Sequence, residues 1–333
     1  MMLEIWLRYD LRSPAFATAS VDLASAAIEQ VAWADKKGFH TIQLPEHHCS
    51  DDNYNPSPLI LGAAMASRTS TMRIHPCAII LPLHDPVRIA EDCVVVDIVS
   101  NGRLDVTIGL GYVPAEFEMF GVPLSERGRL TDSKLEVLQR AFAGETFEYE
   151  GRKIRVTPSP VQEGGPPLFI GGSVKATAKR AARYGHGYFP MIYTEEAAAD
   201  YRDACVELGK TPGRVINARG PRLVHVSEDP DAAWAKIAPH AMYETNAYAA
   251  YAEKLGQVTQ FERAETPEQL RASGTYLVVT PDECLAIARE QRDLGRILII
   301  PPLVGGLDPE VSWESIELIG TKVIPELIKD DAA

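Results

Sequence analysis

The sequence has little cysteine and no closely spaced cysteine pair. Its 333 residues include five cysteines, an odd number, and they are far apart along the chain: Cys49, Cys77, Cys93, Cys205 and Cys284. None forms a C-x-x-C pair, which argues against a zinc ribbon, a redox dithiol or a disulfide framework. We therefore expect reduced structural thiols.

Basic runs and long apolar runs are also missing. The formal net charge is −13 at pH 7, and no Lys/Arg-rich segment could follow a phosphate backbone, so we expect no nucleic-acid partner. The N-terminal segment MMLEIWLRYD lacks the basic start and apolar stretch of a signal peptide. No window reaches the roughly 18 apolar residues of a membrane span. The expected protein is cytoplasmic and has no membrane contact.

What the chain does contain is a regular alternation of strand-like and helix-like segments. Short β-rich runs, such as residues 3–9 and 41–45, are each followed by an amphipathic helical pattern. Eight such units can be counted, and eight parallel strands followed by helices close into a (β/α)8 TIM barrel. Because barrels of this length are common as single units, we predict one domain over residues 1–333, with an open doubly wound sheet as the alternative.

Two segments interrupt this repeat. Residues 146–160 alternate polar and apolar side chains around Glu150-Gly151, which predicts a β-hairpin inserted after the fourth helix. A polar segment from about Gly256 to Ser273 precedes the eighth strand, and it is predicted to be an irregular, lid-like insertion. The stretch TPDECLAIAREQRDLG after it predicts an additional capped helix.

The segment TIQLPEHHC places Glu46, His47 and His48 directly after the second predicted strand. In a (β/α)8 barrel the active site lies where the strands end, so these residues are expected there. A metal site would need further ligands from other strand ends. Because His75 and His186 are predicted at the wrong places along their strands, we predict no metal site.

Two glycine-containing turns follow other predicted strands. GLGY (109–112) contains G-x-G but lacks the third glycine and the following helix of a dinucleotide fingerprint. In GGSVKATAK, Gly171 and Gly172 end the fifth predicted strand, and Ser173 stands where a helix N-cap is expected. Free N–H groups at that helix start favour an anion such as a cofactor phosphate, although an ordinary capped turn has the same pattern.

Aromatic residues and glycines dominate the predicted strand ends, whereas carboxylates are few. This composition predicts a wide, fairly apolar pocket suited to a flat aromatic cofactor. Four residues are candidates for contact with the substrate: Trp6, His48, Phe189 and Tyr193. Core packing is the alternative for the three aromatic residues, and support of the loop is the alternative for His48.

Several longer segments together resemble the bacterial luciferase-like flavin-dependent monooxygenases. They are LPEHHCSDDNYNPSP, CAIILPLHDPVRIAEDCVVVDIVSNGRLDVTIGLG, EFEMFGVPLSERG and TPDECLAIAREQRDLG, and they follow the family's order and spacing over nearly the whole chain. The resemblance implies a luciferase-type barrel. It also implies that His47 is the catalytic group that helps to form or use a flavin C(4a)-hydroperoxide.

The same resemblance implies where the flavin binds. A non-prolyl cis peptide between Cys77 and Ala78 would lie beneath the flavin ring. The implied cofactor-binding residues are Cys77, Ala78, Gly109, Gly111, Tyr112, Gly171, Gly172, Ser173 and Thr177. One position departs from the luciferase pattern, because Leu110 stands where luciferase has an arginine for the flavin phosphate. FMN and a reduced deazaflavin both stay open as the cofactor.

The function expected from this resemblance is that of a two-component monooxygenase. Reduced FMN would come from a separate reductase, and dioxygen would supply the atom inserted into a small organic substrate. One alternative is a deazaflavin-dependent dehydrogenase or reductase that transfers a hydride. Another is a non-catalytic flavin-binding partner subunit. A homodimer is expected because dimers are common in this family.

Overall fold

The computed structural model describes residues 3–255, 261 and 263–332. In these residues the strands are β1 (Ile5–Arg8), β2 (Thr41–Leu44), β3 (Arg73–Ile80), β4 (Val106–Gly109), β5 (Phe147–Tyr149), β6 (Arg152–Ile154), β7 (Leu168–Gly171), β8 (Gly187–Phe189), β9 (Arg214–Val215), β10 (Leu223–Val226), β11 (Tyr276–Val279) and β12 (Leu298–Ile300). The α-helices are α1 (Ser20–Ala34), α2 (Pro58–Ala66), α3 (Pro86–Ser100), α4 (Pro114–Met119), α5 (Arg127–Phe142), α6 (Lys175–Tyr184), α7 (Glu195–Glu207), α8 (Pro230–Leu255), α9 (Pro267–Ala272), α10 (Pro281–Asp293), α11 (Pro309–Leu318) and α12 (Ile324–Ala332).

Local sequence signals explain where several helices begin. Asp85 precedes α3, and its Oδ1 accepts the backbone N–H of Val87 at 2.8 Å, while Pro86 occupies the first helical position. The predicted capped helix is α10, where Thr280 and Glu283 form a capping box. These caps satisfy N–H groups that have no partner within the helix.

The first of two compact units consists of the described residues within Met1–Gln43, Ser50–Asn55 and Ala218–Ala333. In it, β1 lies parallel between β12 and β2. β10 pairs in parallel with β11. Side chains of α8, including Trp234 and Ile237, pack with β10 and β11 into a buried apolar cluster.

The second unit consists of Leu44–Cys49 and Pro56–Asn217. Its strands β3, β4, β7, β8 and β9 are paired in parallel in that order. The hairpin predicted around Glu150-Gly151 is present, with β5 antiparallel to β6. Because Glu150 and Gly151 both have positive φ, the turn has the geometry that favours two-residue hairpin loops.

The order of the elements is that of a (β/α)8 barrel, which confirms the predicted fold class. Each of the eight predicted strands is present. The strands β9 and β11 and the short helix α4 were not predicted. One barrel domain over residues 1–333 stays a prediction.

The lid-like insertion predicted from about Gly256 to Ser273 includes residues 256–260 and 262, which lie outside the described residues. Its remaining part contains the short helix α9, whose start is capped by the Thr266 hydroxyl. Among the described helices, none is both long enough and apolar enough to cross a membrane.

Candidate active site

The loop after β2 carries three consecutive ionisable residues that belong to the second unit: Glu46, His47 and His48. All three are buried, with exposed fractions of 4%, 9% and 9%. Buried ionisable groups are costly unless they are hydrogen-bonded. Each of these side chains has such a partner in the same unit: Glu116 for His47, Glu46 for His48, and both His48 and His84 for Glu46.

His47 is hydrogen-bonded to a buried carboxylate. Its Nδ1 lies 2.7 Å from Oε1 of Glu116 in α4, whose side chain is 1% exposed. The same oxygen accepts the backbone N–H of His48 at 2.9 Å. Because a carboxylate can only accept, Nδ1 of His47 carries the hydrogen of this bond.

The other ring nitrogen of His47 faces Tyr112. The Tyr112 hydroxyl is 3.4 Å from Nε2, and the two rings meet edge to face with centroids 5.7 Å apart. The structure thus brings together the predicted catalytic residue and one predicted cofactor-binding residue. Glu116 was not among the predicted site residues. Its signal was an acidic residue in the first turn of a short helix just after the GLGY turn.

Glu46 holds the other histidine of the triplet. Its Oε1 accepts hydrogen bonds from Nε2 of His48 and from Nε2 of His84, each at 2.7 Å, and its Oε2 accepts the backbone N–H of Ile80 at 3.2 Å. Burial acts to raise the pKa of Glu46, but hydrogen bonds from the two imidazoles outweigh it and hold the pKa below its usual value. Glu46 therefore anchors the loop as a carboxylate. His84 was not singled out from the sequence.

The ends of β3 and β4 approach each other closely. The peptide between Cys77 and Ala78 is cis, as the resemblance implied, and the pairing register shifts between Cys77 and Ile79. A Cβ added to Gly109 would lie 3.0 Å from the Cβ of Ala78. Cys77 and Ala78 are half-buried, whereas the residues on either side of them in β3 are buried.

Gly111 has a packing requirement of its own. Its φ is +74°, and an added Cβ would come within 2.6 Å of Ile80 Cγ2 and 2.8 Å of Phe117 Cε2. A side chain at this position would therefore clash within a buried apolar cluster that contains both residues. This packing alone explains why glycine stands at position 111, without any contact with a cofactor.

In the turn between β7 and α6, the N-cap position lies one residue later than predicted. Helix α6 begins at Lys175 after Val174 and has no side-chain cap, so the prediction of Ser173 as the N-cap was wrong. The Ser173 hydroxyl instead accepts the backbone N–H of Ile192 at 2.8 Å. The helix start therefore keeps backbone N–H groups that no side chain caps, which is the requirement for an anion site.

Glycine at position 172 makes this turn possible. Its φ is +127°, and an added Cβ would lie 3.1 Å from Oγ1 of Thr177, which is buried. The Tyr188 hydroxyl donates to the carbonyl of Gly172 at 2.7 Å and fixes the turn from the neighbouring strand. Gly171, Gly172 and Ser173 are half-buried, so their backbone is accessible to a ligand. These residues fit a cofactor phosphate.

The predicted substrate-binding residues lie in different surroundings. Phe189 is buried at the end of β8, with its ring centroid 6.2 Å from that of His75. Tyr193 is half-buried and donates its hydroxyl to Glu195 at 3.0 Å. Trp6 belongs to the first unit, where its indole N–H donates to Glu4 at 3.0 Å. Contact of these residues with a substrate stays a prediction.

Two similar proteins have names that specify a reaction. The chain is 25% identical to 4-hydroxyprotoasukamycin monooxygenase of Streptomyces nodosus subsp. asukaensis, over 90% of this chain and 85% of the other. It is 28% identical to the oxygenase component of flavin-dependent trigonelline monooxygenase of Acinetobacter baylyi, over 43% of this chain and 41% of the other.

Solved structures share the fold over nearly all of the aligned chain. A monooxygenase from Streptomyces bottropensis aligns with a TM-score of 0.79 at 24% identity, covering 97% of this chain and 99% of the other. A second match is the oxygenating constituent of 3,6-diketocamphane monooxygenase from Pseudomonas putida, a type II Baeyer-Villiger monooxygenase in complex with FMN. It aligns with a TM-score of 0.72 at 19% identity, covering 98% of this chain and 99% of the other. An F420-dependent secondary alcohol dehydrogenase aligns with a TM-score of 0.68 at 18% identity, covering 98% of this chain and 99% of the other.

A match to a family model identifies the family of this chain. The family model described as luciferase-like monooxygenase matches residues 8–296, which include the loop after β2, the GLGY turn and the start of α6. The chain therefore belongs to the luciferase-like monooxygenase family.

Proposed function

We propose that this protein is the oxygenase component of a two-component monooxygenase, which receives reduced FMN from a separate reductase and uses dioxygen to oxygenate a small organic substrate. The observation that carries the proposal is the buried hydrogen bond between His47 and Glu116, which orients Nε2 of the histidine toward Tyr112. Membership of the family supports flavin-dependent chemistry. The name of the similar Acinetobacter baylyi protein, an oxygenase component, supports a separate reductase.

The residues that would hold FMN lie at four strand ends or helix starts of the second unit. Gly171, Gly172, Ser173 and Thr177 would surround its phosphate beside the start of α6. The flavin ring would lie against Cys77, Ala78, Gly109, Gly111 and Tyr112. When bound, reduced flavin supplies the two electrons that let one oxygen atom of dioxygen enter the substrate while the other leaves as water.

His47 is the group proposed to hold or move a proton, and it does so at Nε2. An imidazole is suited to this because one ring nitrogen can accept a proton while the other donates a hydrogen bond. Glu116 keeps Nδ1 protonated, fixes the ring plane and stabilises the imidazolium whenever Nε2 takes up a proton. The burial of both side chains keeps bulk water away from this proton.

A second candidate is hydride transfer with a reduced deazaflavin. It is favoured by Leu110, which stands where the luciferase pattern has an arginine for the flavin phosphate. The fold shared with an F420-dependent dehydrogenase is compatible with it. A non-catalytic flavin-binding subunit is less well supported, because such a protein has no need for the buried pairing of His47 with Glu116.

The two candidates separate in an anaerobic titration. We expect a dissociation constant for reduced FMN that is at least about tenfold lower than that for reduced coenzyme F420. After mixing with oxygenated buffer, the return of oxidised flavin absorbance should be slower for the complex than for free reduced FMN. Binding of reduced F420 alone would replace the proposed function by hydride transfer. Reoxidation at the rate of free flavin would argue against an oxygenase.

A substitution of Glu116 tests whether its hydrogen bond to His47 matters for the reaction. Glu116→Gln keeps the acceptor for Nδ1–H but removes the charge that stabilises the imidazolium. We expect flavin reoxidation in the complex to be on the order of 10- to 100-fold faster, with more hydrogen peroxide released, because proton transfer at His47 is no longer controlled. The affinity for reduced FMN should change by less than about threefold.

The matched control is Glu118→Gln, because Glu118 lies on the same helix and is exposed. It should leave the reoxidation rate unchanged. A Glu116→Gln variant that behaves like Glu118→Gln would show that the carboxylate has no part in the reaction.

A further inference from the structure

A second set of side chains converges beside His47. Nε2 of His48 and Nε2 of His84 each lie 2.7 Å from Oε1 of Glu46, and the three potential ligand atoms lie within 4.8 Å of one another. The side chains are 1% exposed for Glu46, 7% for His48 and 22% for His84. The cluster is therefore closed on most sides, and its most exposed member is His84.

The donor set has a definite chemical preference. Two imidazole nitrogens and one carboxylate oxygen are the ligands of many zinc sites with an open fourth position. Other divalent first-row ions accept the same donors, whereas Mg²⁺ and Ca²⁺ prefer oxygen ligands throughout. The three residues come from the ends of two adjacent segments in the second unit, so a shared ion would join the loop after β2 to the segment after β3.

The surroundings hold these donors in place. Glu46 is oriented by the backbone N–H of Ile80, which bonds to its other oxygen at 3.2 Å. The carbonyl of His84 accepts from Nζ of Lys134 at 2.6 Å. The ring of Phe120 covers both imidazoles, with centroids 4.7 Å from His48 and 6.0 Å from His84. These contacts orient the carboxylate of Glu46, hold the backbone at His84 and pack Phe120 against both imidazoles.

We propose that Glu46, His48 and His84 form a binding site for one divalent transition-metal ion of the zinc class. In the structure the two nitrogens and the oxygen are joined by hydrogen bonds. Ligand atoms around tetrahedral zinc lie about 3.3 Å apart, so binding requires each nitrogen to move about half an ångström from the oxygen. Side-chain rotation supplies such a movement. Each Nε2 then loses the hydrogen that it donates to Glu46, and each imidazole binds the ion through Nε2 with a hydrogen on Nδ1.

The site clamps the loop that carries His47, because His47 stands between two of the ligands along the chain. This inference does not depend on the flavin chemistry. It differs from the prediction of no metal site made from the sequence, in which His84 was not combined with Glu46 and His48. The metal site is tested by Zn²⁺ binding and thermal stability, and the proposed function by flavin binding and reoxidation. Either proposal can therefore be refuted while the other holds.

The experiment uses the full chain after treatment with a chelator and its removal. Equilibrium dialysis against buffered Zn²⁺ should show one tightly bound equivalent, and the thermal midpoint should rise by several degrees, because an ion that binds only the native state stabilises it. His48→Ala and His84→Ala should each weaken Zn²⁺ binding by at least about 100-fold and remove the thermal shift. Co²⁺ in place of Zn²⁺ should give visible absorption bands without thiolate charge-transfer absorption.

Two control variants keep the ligands intact. Cys49→Ser removes the exposed thiol next to His48, and His40→Ala removes an imidazole of the first unit whose side chain is 38% exposed. Both should bind Zn²⁺ like the wild type. No stoichiometric binding by the wild type would overturn the proposal. So would Zn²⁺ binding that survives His48→Ala and His84→Ala, or binding that is lost in Cys49→Ser.

Discussion

His47→Ala is expected to speed the return of oxidised flavin in the reduced-FMN complex by on the order of 100-fold, with little oxygen transferred to any substrate. The reason is that Nε2 of His47 is the proposed site of proton control, and alanine has no group that can hold or move a proton. Affinity for reduced FMN should stay within about threefold of the wild type, because the predicted phosphate and ring contacts come from other residues. Rapid mixing with oxygen, with hydrogen peroxide assayed in parallel, measures both quantities.

A double variant tests whether Glu116 acts through His47. If it does, adding Glu116→Gln to His47→Ala should change the reoxidation rate no further, because the carboxylate then has no imidazole to orient. His40→Ala serves as the control for loss of a histidine outside the site. An unchanged reoxidation rate in His47→Ala would refute the catalytic assignment, whatever the effect of Glu116→Gln.

The largest effect on stability is expected from Asp52→Ala in the first unit. Arg12 is 1% exposed, and its guanidinium lies 4.6 Å from the ring centroids of both Tyr54 and Tyr248. Its Nη1 forms an ion pair with the buried Asp52, which also accepts from the Tyr243 hydroxyl at 3.1 Å. Removing the carboxylate leaves the buried guanidinium of Arg12 with Asp10, whose Oδ2 lies 3.7 Å from Nε, but without its directly bonded partner.

Breaking one side of a buried ion pair typically costs about 3–5 kcal/mol, and we expect a loss of this size in the free energy of unfolding. Urea denaturation followed by circular dichroism measures it. Glu91→Ala is the control: it removes an ion pair with Arg88 on the surface, and the expected loss is below about 1 kcal/mol. An Asp52→Ala loss as small as that of the control would contradict the argument.

The same pair predicts a dependence of stability on pH. Burial acts to raise the pKa of Asp52, but the charge of Arg12 and hydrogen bonds from Ser50, Arg12 and Tyr243 outweigh it and hold the pKa below its usual value. A carboxyl group whose folded pKa is lowered stabilises the protein above its unfolded pKa, and this stabilisation is lost as the pH falls through the folded value. The difference between wild type and Asp52→Ala should therefore shrink in acid.

Much of the fold could be predicted because its signals are local. The eight strands are apolar runs bounded by turn residues, and α10 begins with the pattern Thr280-x-x-Glu283. β11 was missed although its four residues, Tyr276–Val279, form the same kind of apolar run, bounded by Gly274 and Pro281. The start of α6 was misplaced by one residue, because a hydroxyl at position 173 suits a cap and a loop contact equally well.

The site was predictable only in part, for a different reason. His47 stands out because ionisable residues directly after a buried strand are unusual, and because the surrounding segments resemble a known family. Glu116 is separated from His47 by 69 positions, and His84 from Glu46 by 38. Pairings of this kind are set by how the strands and helices pack, which no local pattern encodes.

The triplet at positions 46–48 also limits which changes in chain length the protein tolerates. Glu46 and His48, two residues apart, bond to each other, while His47 between them bonds to Glu116. Because Glu46 and His48 face one side of the segment and His47 the other, one residue inserted or deleted just before Glu46 would turn Glu46 and His48 toward Glu116 and turn His47 away from it. Laboratory evolution of this protein should therefore hold the length of the segment between β2 and His48 constant and place its insertions beyond Cys49.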